Sequence, residues 1–120
     1  MKSILIADSG STKTEWCLLQ DNKKKKVITQ GLSPYFLNQE QISAILKRDL
    51  LPKIKDAAPD EVYFYGTGCS NPANAAIVKK AIKEHYKKAS ITVNHDLMGA
   101  AKALCGNEKG VACILGTGSN

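Results

Sequence analysis

The sequence predicts an α/β domain in which a mixed sheet carries helices on its faces. Two observations support this class. Three short apolar segments follow one another within the first 31 residues, separated only by polar stretches, which is typical of a strand meander. Beyond residue 40, helical periodicity alternates with short β-branched and aromatic runs, which favours strands joined by helical crossovers. The predicted element order is β-β-β-α-β-α-β-α-β.

The first three strands are predicted at residues 3–7, 14–20 and 27–31, where apolar residues are concentrated. The segment "DNKKKK" between the second and third strands is polar throughout, and we expect it to form the tip of a hairpin. The stretch "DSGSTKT" between the first and second strands is longer than the roughly two residues that a tight hairpin requires. Its carboxylate, hydroxyls and lysine indicate a function beyond turning the chain.

The helices and the later strands follow in alternation. Apolar residues recur near the helical period at positions 42, 45, 46, 50 and 54, which predicts a helix between "SPYFLN" and Pro52. A strand "EVYFYG" follows, and Pro72 suits the first turn of a second helix. A fifth strand "SITVNHD", an Ala-rich helix "LMGAAKAL" and a sixth strand "GVACILG" complete the pattern. The inner face of the second helix is predicted to carry Val78, Ala81, Ile82, His85 and Tyr86.

The last predicted strand runs into the glycine loop "GTGSN", which ends at Asn120. Such a loop usually connects two elements. We therefore expect residues 1–120 to form the N-terminal domain of a longer protein, with a second domain beyond residue 120.

Composition excludes several classes of protein. The formal charge of +6 comes largely from lysines at 23–26 and on one predicted helix, without interleaved arginine or aromatic residues, which favours a solvated face over a nucleic-acid surface. No apolar run approaches the roughly 20 residues of a membrane span, and Asp8 interrupts the N-terminal run too early for a signal peptide. We expect a cytoplasmic protein that binds neither nucleic acid nor membranes. Four cysteines without C-x-x-C spacing, at positions 17, 69, 105 and 113, favour core thiols over metal ligands or disulfides.

Polar or glycine residues follow four predicted strands that run in the same direction: Asp8, Gly66, Asp96 and Gly116. The carboxyl ends of parallel strands meet at one edge of a sheet, and ligands of such sheets bind there. We therefore expect these positions to converge.

The stretch "DSGSTKT" is suited to phosphate. Gly10 permits close approach of the backbone, and successive N–H groups in such a turn can bind an anion. Ser11, Thr12 and Thr14 add hydroxyl donors, and Lys13 can neutralise phosphate charge. Asp8 would repel bare phosphate, so its position suits a hydrated Mg²⁺. The alternative is a polar hairpin in which Asp8 merely ends a strand.

Two further motifs are weaker alone. "LGTGSN" offers a second anion-binding loop of the same kind. Asp96 precedes the Ala-rich helix and has two interpretations: an N-cap that stabilises the helix by about 1 kcal/mol, or a general base that accepts a hydroxyl proton during phosphoryl transfer.

Together these motifs resemble those of the sugar kinase, heat-shock protein and actin superfamily, whose domains have a ribonuclease H-like core. "DSGSTKT" is similar to its first phosphate motif, "HDLMGAAKAL" to its first connecting helix and "ILGTGSN" to its second phosphate motif. Within the superfamily, the chain most resembles the BadF/BadG/BcrA/BcrD-type ATPases and the N-acetylglucosamine kinases among them.

The resemblance implies an actin-like ATPase domain that binds ATP and Mg²⁺ and transfers phosphate to the hydroxyl of an amino sugar such as N-acetylglucosamine or glucosamine. It implies that Asp8 orients Mg²⁺ through water and that Asp96 is the catalytic base. A segment that holds the amino sugar in the kinases corresponds here to "GLSPYFLN". The implied ATP-binding residues are Asp8, Gly10, Ser11, Thr12, Lys13, Thr14, Gly116, Thr117, Gly118 and Ser119, and the implied sugar-binding residues are Tyr35, Asn38, Asp96 and Asn120.

The resemblance also implies that the fragment alone is inactive. The full-length protein could form a homodimer. Two alternatives to the kinase remain. One is an ATP-dependent activator of an acyl-CoA dehydratase, and the other is a sensor domain that binds ATP or a sugar without catalysis. A nuclease with the same core is excluded, because the fourth strand ends in Tyr65-Gly66-Thr67 without a carboxylate.

Overall fold

The computed structural model describes residues 3–10, 12–20, 23–54, 58–66 and 68–94. Within them β1 pairs antiparallel with β2, and β2 with β3, whereas β1, β4 and β5 run parallel. The predicted mixed sheet is confirmed for these strands, while the predicted third helix and sixth strand lie outside the described residues. The strands are β1 (Ile4–Ser9), β2 (Lys13–Gln20), β3 (Lys23–Gln30), β4 (Glu61–Gly66) and β5 (Ser90–Asn94), in the spatial order β3-β2-β1-β4-β5.

The strand β3 differs from its prediction. It begins at Lys23, which pairs with Gln20, so the lysines at 23–26 belong to the strand and not to a hairpin tip. All four are exposed on the outermost strand of the sheet. Charged side chains on an outer strand disfavour pairing with another chain. The prediction failed because it took a polar run for a turn.

Two helices cover one face of the sheet. The helix α1 (Gln39–Ile45) begins at Asn38, whose side chain accepts from the Gln41 N–H while the Gln41 side chain accepts from the Asn38 N–H, a capping box. It continues as a π-helical segment, Leu46–Leu50, and a 3₁₀ turn, Leu51–Lys53. The helix α2 (Pro72–His85) is capped by Asn71. Both predicted helices are confirmed. No helix of the described ranges is long and apolar enough to cross a membrane.

Apolar clusters lie on both faces of the sheet, because neighbouring residues of a strand point to opposite faces. The central strand β1 is therefore buried on both sides, as is usual where parallel strands meet. By this alternation Asp8 belongs to the face without the two helices, and Ser9 to the helix-covered face. The helix-covered cluster includes Leu5, Ala7, Trp16, Ile42, Phe64, Val78 and Ile82, and the opposite cluster includes Ile4, Ile6, Cys17, Leu19 and Tyr65.

Two side chains of types that often take part in catalysis, His85 and Cys69, have structural roles in this fold. The half-buried His85 places Nε2 2.9 Å from the Ser43 hydroxyl and 3.0 Å from the Ser43 carbonyl oxygen, which links α2 to α1. Cys69 is a buried free thiol, as predicted. Cys17, in contrast, takes part in a disulfide, so the prediction of an unpaired core thiol is wrong for that residue.

Candidate functional site

The carboxyl ends of β1, β4 and β5 lie at one edge of the sheet. Ser9, at the end of β1, is opposite Gly66, at the end of β4, and Tyr65 is opposite Asn94, at the end of β5. The structure thus places the neighbourhoods of Asp8 and Gly66 side by side. We call this edge, with the loops that extend from it, the carboxyl edge.

The turn between β1 and β2 is shorter than the sequence predicts. Ser9 is paired with Thr14. Because β1 ends at Ser9 and β2 begins at Lys13, only residues 10–12 lie between the two strands. The Gly10 N–H donates to the Lys13 carbonyl oxygen at 2.9 Å, and the Gly31 N–H donates to the Thr12 carbonyl oxygen at 3.1 Å. One backbone hydrogen bond therefore closes the turn, and a second joins the turn to the residue that follows β3. Thr12 and Lys13 are exposed on it.

Two carboxylates face each other beside this turn. Asp8 on β1 is paired with Glu15 on β2, and residues directly opposite in antiparallel strands share a face. Burial raises the pKa of the Asp8 carboxyl above its ordinary value, and the charge of Glu15 raises it further. The ammonium of Lys13 lies 3.0 Å from a Glu15 carboxylate oxygen. A cation beside Asp8 would offset both the lost hydration and the repulsion by Glu15.

The hydroxyl of Thr14 is used within the protein. Thr14 is fully buried, and its hydroxyl lies 2.7 Å from that of Ser9 and donates to the Gln30 carbonyl oxygen at 3.1 Å. Of the predicted phosphate donors on this turn that the structure describes, Thr12 is exposed and Thr14 is not. The difference follows from the pleat: Thr14 lies in β2 on the helix-covered face, as Trp16 does.

Tyr35 and Phe36 form an exposed aromatic turn, which we define as residues 33–36. The Phe36 N–H donates to the Ser33 carbonyl oxygen at 3.1 Å. The Tyr35 and Phe36 side chains are 62% and 77% exposed, so most of each ring is open to a ligand or a partner.

The aromatic turn packs on the loop that follows β4. Gly68 has φ +87°, and a Cβ at this position would lie only 2.9 Å from Tyr35 Cε2. Glycine is thus required here by conformation and by the close approach of the ring. The contact places Tyr35 at the carboxyl edge.

Asn38, the other predicted sugar-binding residue of this segment, has a structural use. Its side-chain carbonyl accepts from the Gln41 N–H at 2.9 Å and caps α1. The remaining predicted site residues are Ser11, Asp96, Gly116, Thr117, Gly118, Ser119 and Asn120, and they lie outside the described residues.

Sequence reasoning missed three contributors to this site. Glu15 became relevant only when the hairpin register placed it opposite Asp8. Ser9 acts through a hydrogen bond network, and Gly68 acts through its contact with the Tyr35 ring. Sequence spacing encodes neither interaction. The only available signal was the second glycine of "GTGC", since paired glycines often mark a positive φ angle. Within the described residues no group of three or more His, Cys, Asp or Glu side chains could hold a metal ion.

Comparison with solved structures identifies similar chains. A "putative N-acetylglucosamine kinase" from Porphyromonas gingivalis is 39% identical, with a TM-score of 0.72, and the match covers 87% of this chain. YeaZ from Pseudomonas aeruginosa matches at 16% identity with a TM-score of 0.50 over 91% of this chain. A protein with similarity to peptidase YeaZ, from the same organism, matches at 16% identity with a TM-score of 0.50 over 90% of this chain.

The chain is shorter than each of the matched proteins. The chain spans 38% of the Porphyromonas protein and about half of the two others, 51% and 50%. The matches at 16% identity show a shared fold alone. No protein-family model matches the chain, and no curated protein matches it. At a coarse level the comparisons show that the described α/β fold is shared with these three proteins.

Proposed function

We propose that this chain is the phosphate-binding part of an ATP-dependent kinase that phosphorylates a hydroxyl of an amino sugar such as N-acetylglucosamine or glucosamine. The observation that carries the proposal is the 39% identity to the Porphyromonas protein over 87% of this chain. The proposal requires two parts of this chain, the turn at residues 10–12 and the aromatic turn.

The proposal includes the finer fold assignment. The five strands would be the ribonuclease H-like core of an actin-like ATPase domain, completed by a helix and a strand within residues 95–120. A second domain beyond residue 120 would close the nucleotide site. The shared fold of the YeaZ structures supports this assignment.

The residues at the carboxyl edge fit ATP with Mg²⁺. Asp8 would orient hydrated Mg²⁺, a role that suits a partly buried carboxylate beside a second carboxylate. When bound, Mg²⁺ neutralises charge on the β- and γ-phosphate oxygens. Gly10, Ser11, Thr12 and Lys13 would contact one phosphate, while Thr14 would support the turn from below. In the second loop, Gly116, Thr117, Gly118 and Ser119 would contact the other phosphate.

The acceptor would lie between the aromatic turn and the second domain. Tyr35 has an exposed ring held against Gly68, and such a ring can pack against the apolar face of a sugar. Asn38 would place the start of α1 beside the acceptor, and Asn120 would contact the sugar. Asp96 would accept the hydroxyl proton as phosphate is transferred.

A panel of amino sugars, tested as acceptors with ATP and Mg²⁺, examines the proposal in the protein that contains this chain. We expect a sugar phosphate to form with at least one acetamido or amino sugar. Asp96→Asn should abolish transfer while nucleotide binding persists. ATP hydrolysis at a rate that no sugar changes, with no sugar phosphate formed, would contradict the proposal and favour the dehydratase activator. Nucleotide binding without any turnover in the unmodified protein would favour the sensor.

A further inference from the structure

Two buried hydroxyls lie side by side beneath the turn at residues 10–12. Ser9 is 4% exposed and Thr14 is fully buried, and their oxygens are 2.7 Å apart across the β1–β2 pair. A buried hydroxyl is costly unless it is hydrogen-bonded. The partners of this pair therefore show what it connects.

The partners form a directional chain of hydrogen bonds. The Thr14 hydroxyl donates to the Gln30 carbonyl oxygen at 3.1 Å, so its single proton is used there. Ser9 must then donate to Thr14, while the Ser9 oxygen accepts from the Leu32 N–H at 3.1 Å. The other acceptor near Ser9, the Gly10 carbonyl, is 3.5 Å away, too long to compete. Each hydroxyl thus donates once and accepts once.

This chain joins the two loops that the proposed reaction uses. At one end stand β1 and β2, which carry the turn at residues 10–12. At the other end stand Gln30 and Leu32, which lead into the aromatic turn. The Gly31 N–H adds a direct bond to the Thr12 carbonyl oxygen at 3.1 Å. The two loops therefore cannot shift independently without breaking a buried hydrogen bond.

We propose that Ser9 and Thr14 are positioning residues that hold the aromatic turn in register with the phosphate-binding turn. The inference rests on the proposed function, because it assigns one turn to the phosphate and the other to the acceptor. Neither side chain touches a substrate; both act through the backbone of residues 30–32. Phosphoryl transfer depends mainly on positioning, so the relation between these turns affects turnover more than it affects nucleotide affinity.

The first test is steady-state kinetics on the protein that contains this chain. Ser9→Ala and Thr14→Val each interrupt the chain of hydrogen bonds. Valine has nearly the same shape as threonine, so Thr14→Val still tests the proposal if Ser9→Ala folds poorly. We expect kcat to fall by up to about 100-fold, since a misplacement of about 1 Å can cost that much. The KM for ATP should stay within about twofold, because the lost interaction does not bind the nucleotide.

Two controls separate positioning from packing. Thr14→Ser retains the hydroxyl and should keep a kcat close to that of the unmodified protein. Ser3→Ala removes another buried hydroxyl from the N-terminal side of the same sheet, one that has no hydrogen bond partner within the described part of the chain, and it should leave kcat unchanged. The double variant Ser9→Ala/Thr14→Val should be no worse than either single variant, because both act as one unit.

Amide hydrogen exchange supplies a readout apart from turnover. In Ser9→Ala the Leu32 amide should exchange about fivefold faster or more, as expected for one lost hydrogen bond. An unmodified protein that is active, with Ser9→Ala and Thr14→Val equally active, would overturn this inference and leave the proposed function intact. An unmodified protein that phosphorylates no sugar would overturn the proposed function, and this inference with it.

Discussion

At the scale of single residues, the carboxyl edge combines groups that are poorly stabilised with groups that are fully satisfied. Asp8 is partly buried opposite Glu15, and its pKa is raised by burial first and by Glu15 second. Ser9 and Thr14, on the other face, have all their hydrogen bonds inside the protein. A carboxylate whose charged form is disfavoured by its surroundings is typical of a binding site, where a ligand supplies the missing interaction.

Asp8→Asn should therefore separate activity from stability. The amide cannot attract a hydrated cation, so we expect kcat/KM to fall by about 10- to 100-fold or more. The substitution also removes a charge that burial and Glu15 disfavour, so the urea midpoint should not decrease. Asp49→Asn, on the helical segment that follows α1, is the matched control, since Asp49 forms an ion pair with Arg48 at the surface. An Asp8→Asn variant with unchanged kcat/KM contradicts the assigned role.

The buried thiol of Cys69 should make stability depend on pH in the alkaline range. Burial raises its pKa to about 11 in the folded chain, whereas the pKa of an unfolded thiol is about 8.5. The unfolded state loses its proton first, so this contribution to stability is intact below about pH 8.5 and declines as the pH rises toward about 11. The measurement is the urea midpoint at several pH values for the unmodified protein and for Cys69→Ala. Parallel curves for the two proteins would show that the thiol does not titrate as stated.

At the scale of elements, the sequence predicted what depends on local periodicity and caps. The apolar positions of α2 and the Asn71-Pro72 start located that helix correctly. The lysines at 23–26 were misassigned, because strand pairing with β2 outweighs their polar character. The π-helical segment Leu46–Leu50 was not predicted either, since a change from α-helical to π-helical bonding leaves the apolar spacing nearly unaltered.

The cap of α2 allows an element-scale prediction. The Asn71 side-chain oxygen accepts from the Ala73 N–H at 2.8 Å and from the Asn74 N–H at 3.4 Å. Asn71→Ala should destabilise the domain by about 1 kcal/mol, and Asn71→Asp should retain nearly full stability. Urea unfolding of the three proteins measures the difference. Equal stability of the alanine and aspartate variants would show that the cap contributes nothing.

At the scale of the whole molecule, strand order brings distant residues together. Asp8 and Gly66 are 58 positions apart, yet β1 and β4 run parallel and end side by side. The sequence predicted this convergence from strand direction alone. It did not predict the contact between Tyr35 and Gly68, or the hydrogen bonds that join Ser9 to Leu32, because these depend on loop conformations that only the packed fold determines.

The last prediction concerns how much of the machinery this chain contains. In the proposed kinase, residues 1–120 supply the phosphate loops, and the adenosine pocket lies in the remainder of the protein. The chain spans only 38% of the Porphyromonas protein, which is consistent with that division. Without the second half, neither the nucleotide nor the acceptor is held in a reactive orientation, and loss of orientation alone can cost more than about 100-fold in rate. Purified residues 1–120 should therefore transfer phosphate from ATP to an amino sugar more than about 100-fold more slowly than the longer protein, measured as sugar phosphate formed under identical conditions. Comparable rates would show that the active site is complete within this chain, and would remove the need for a second domain.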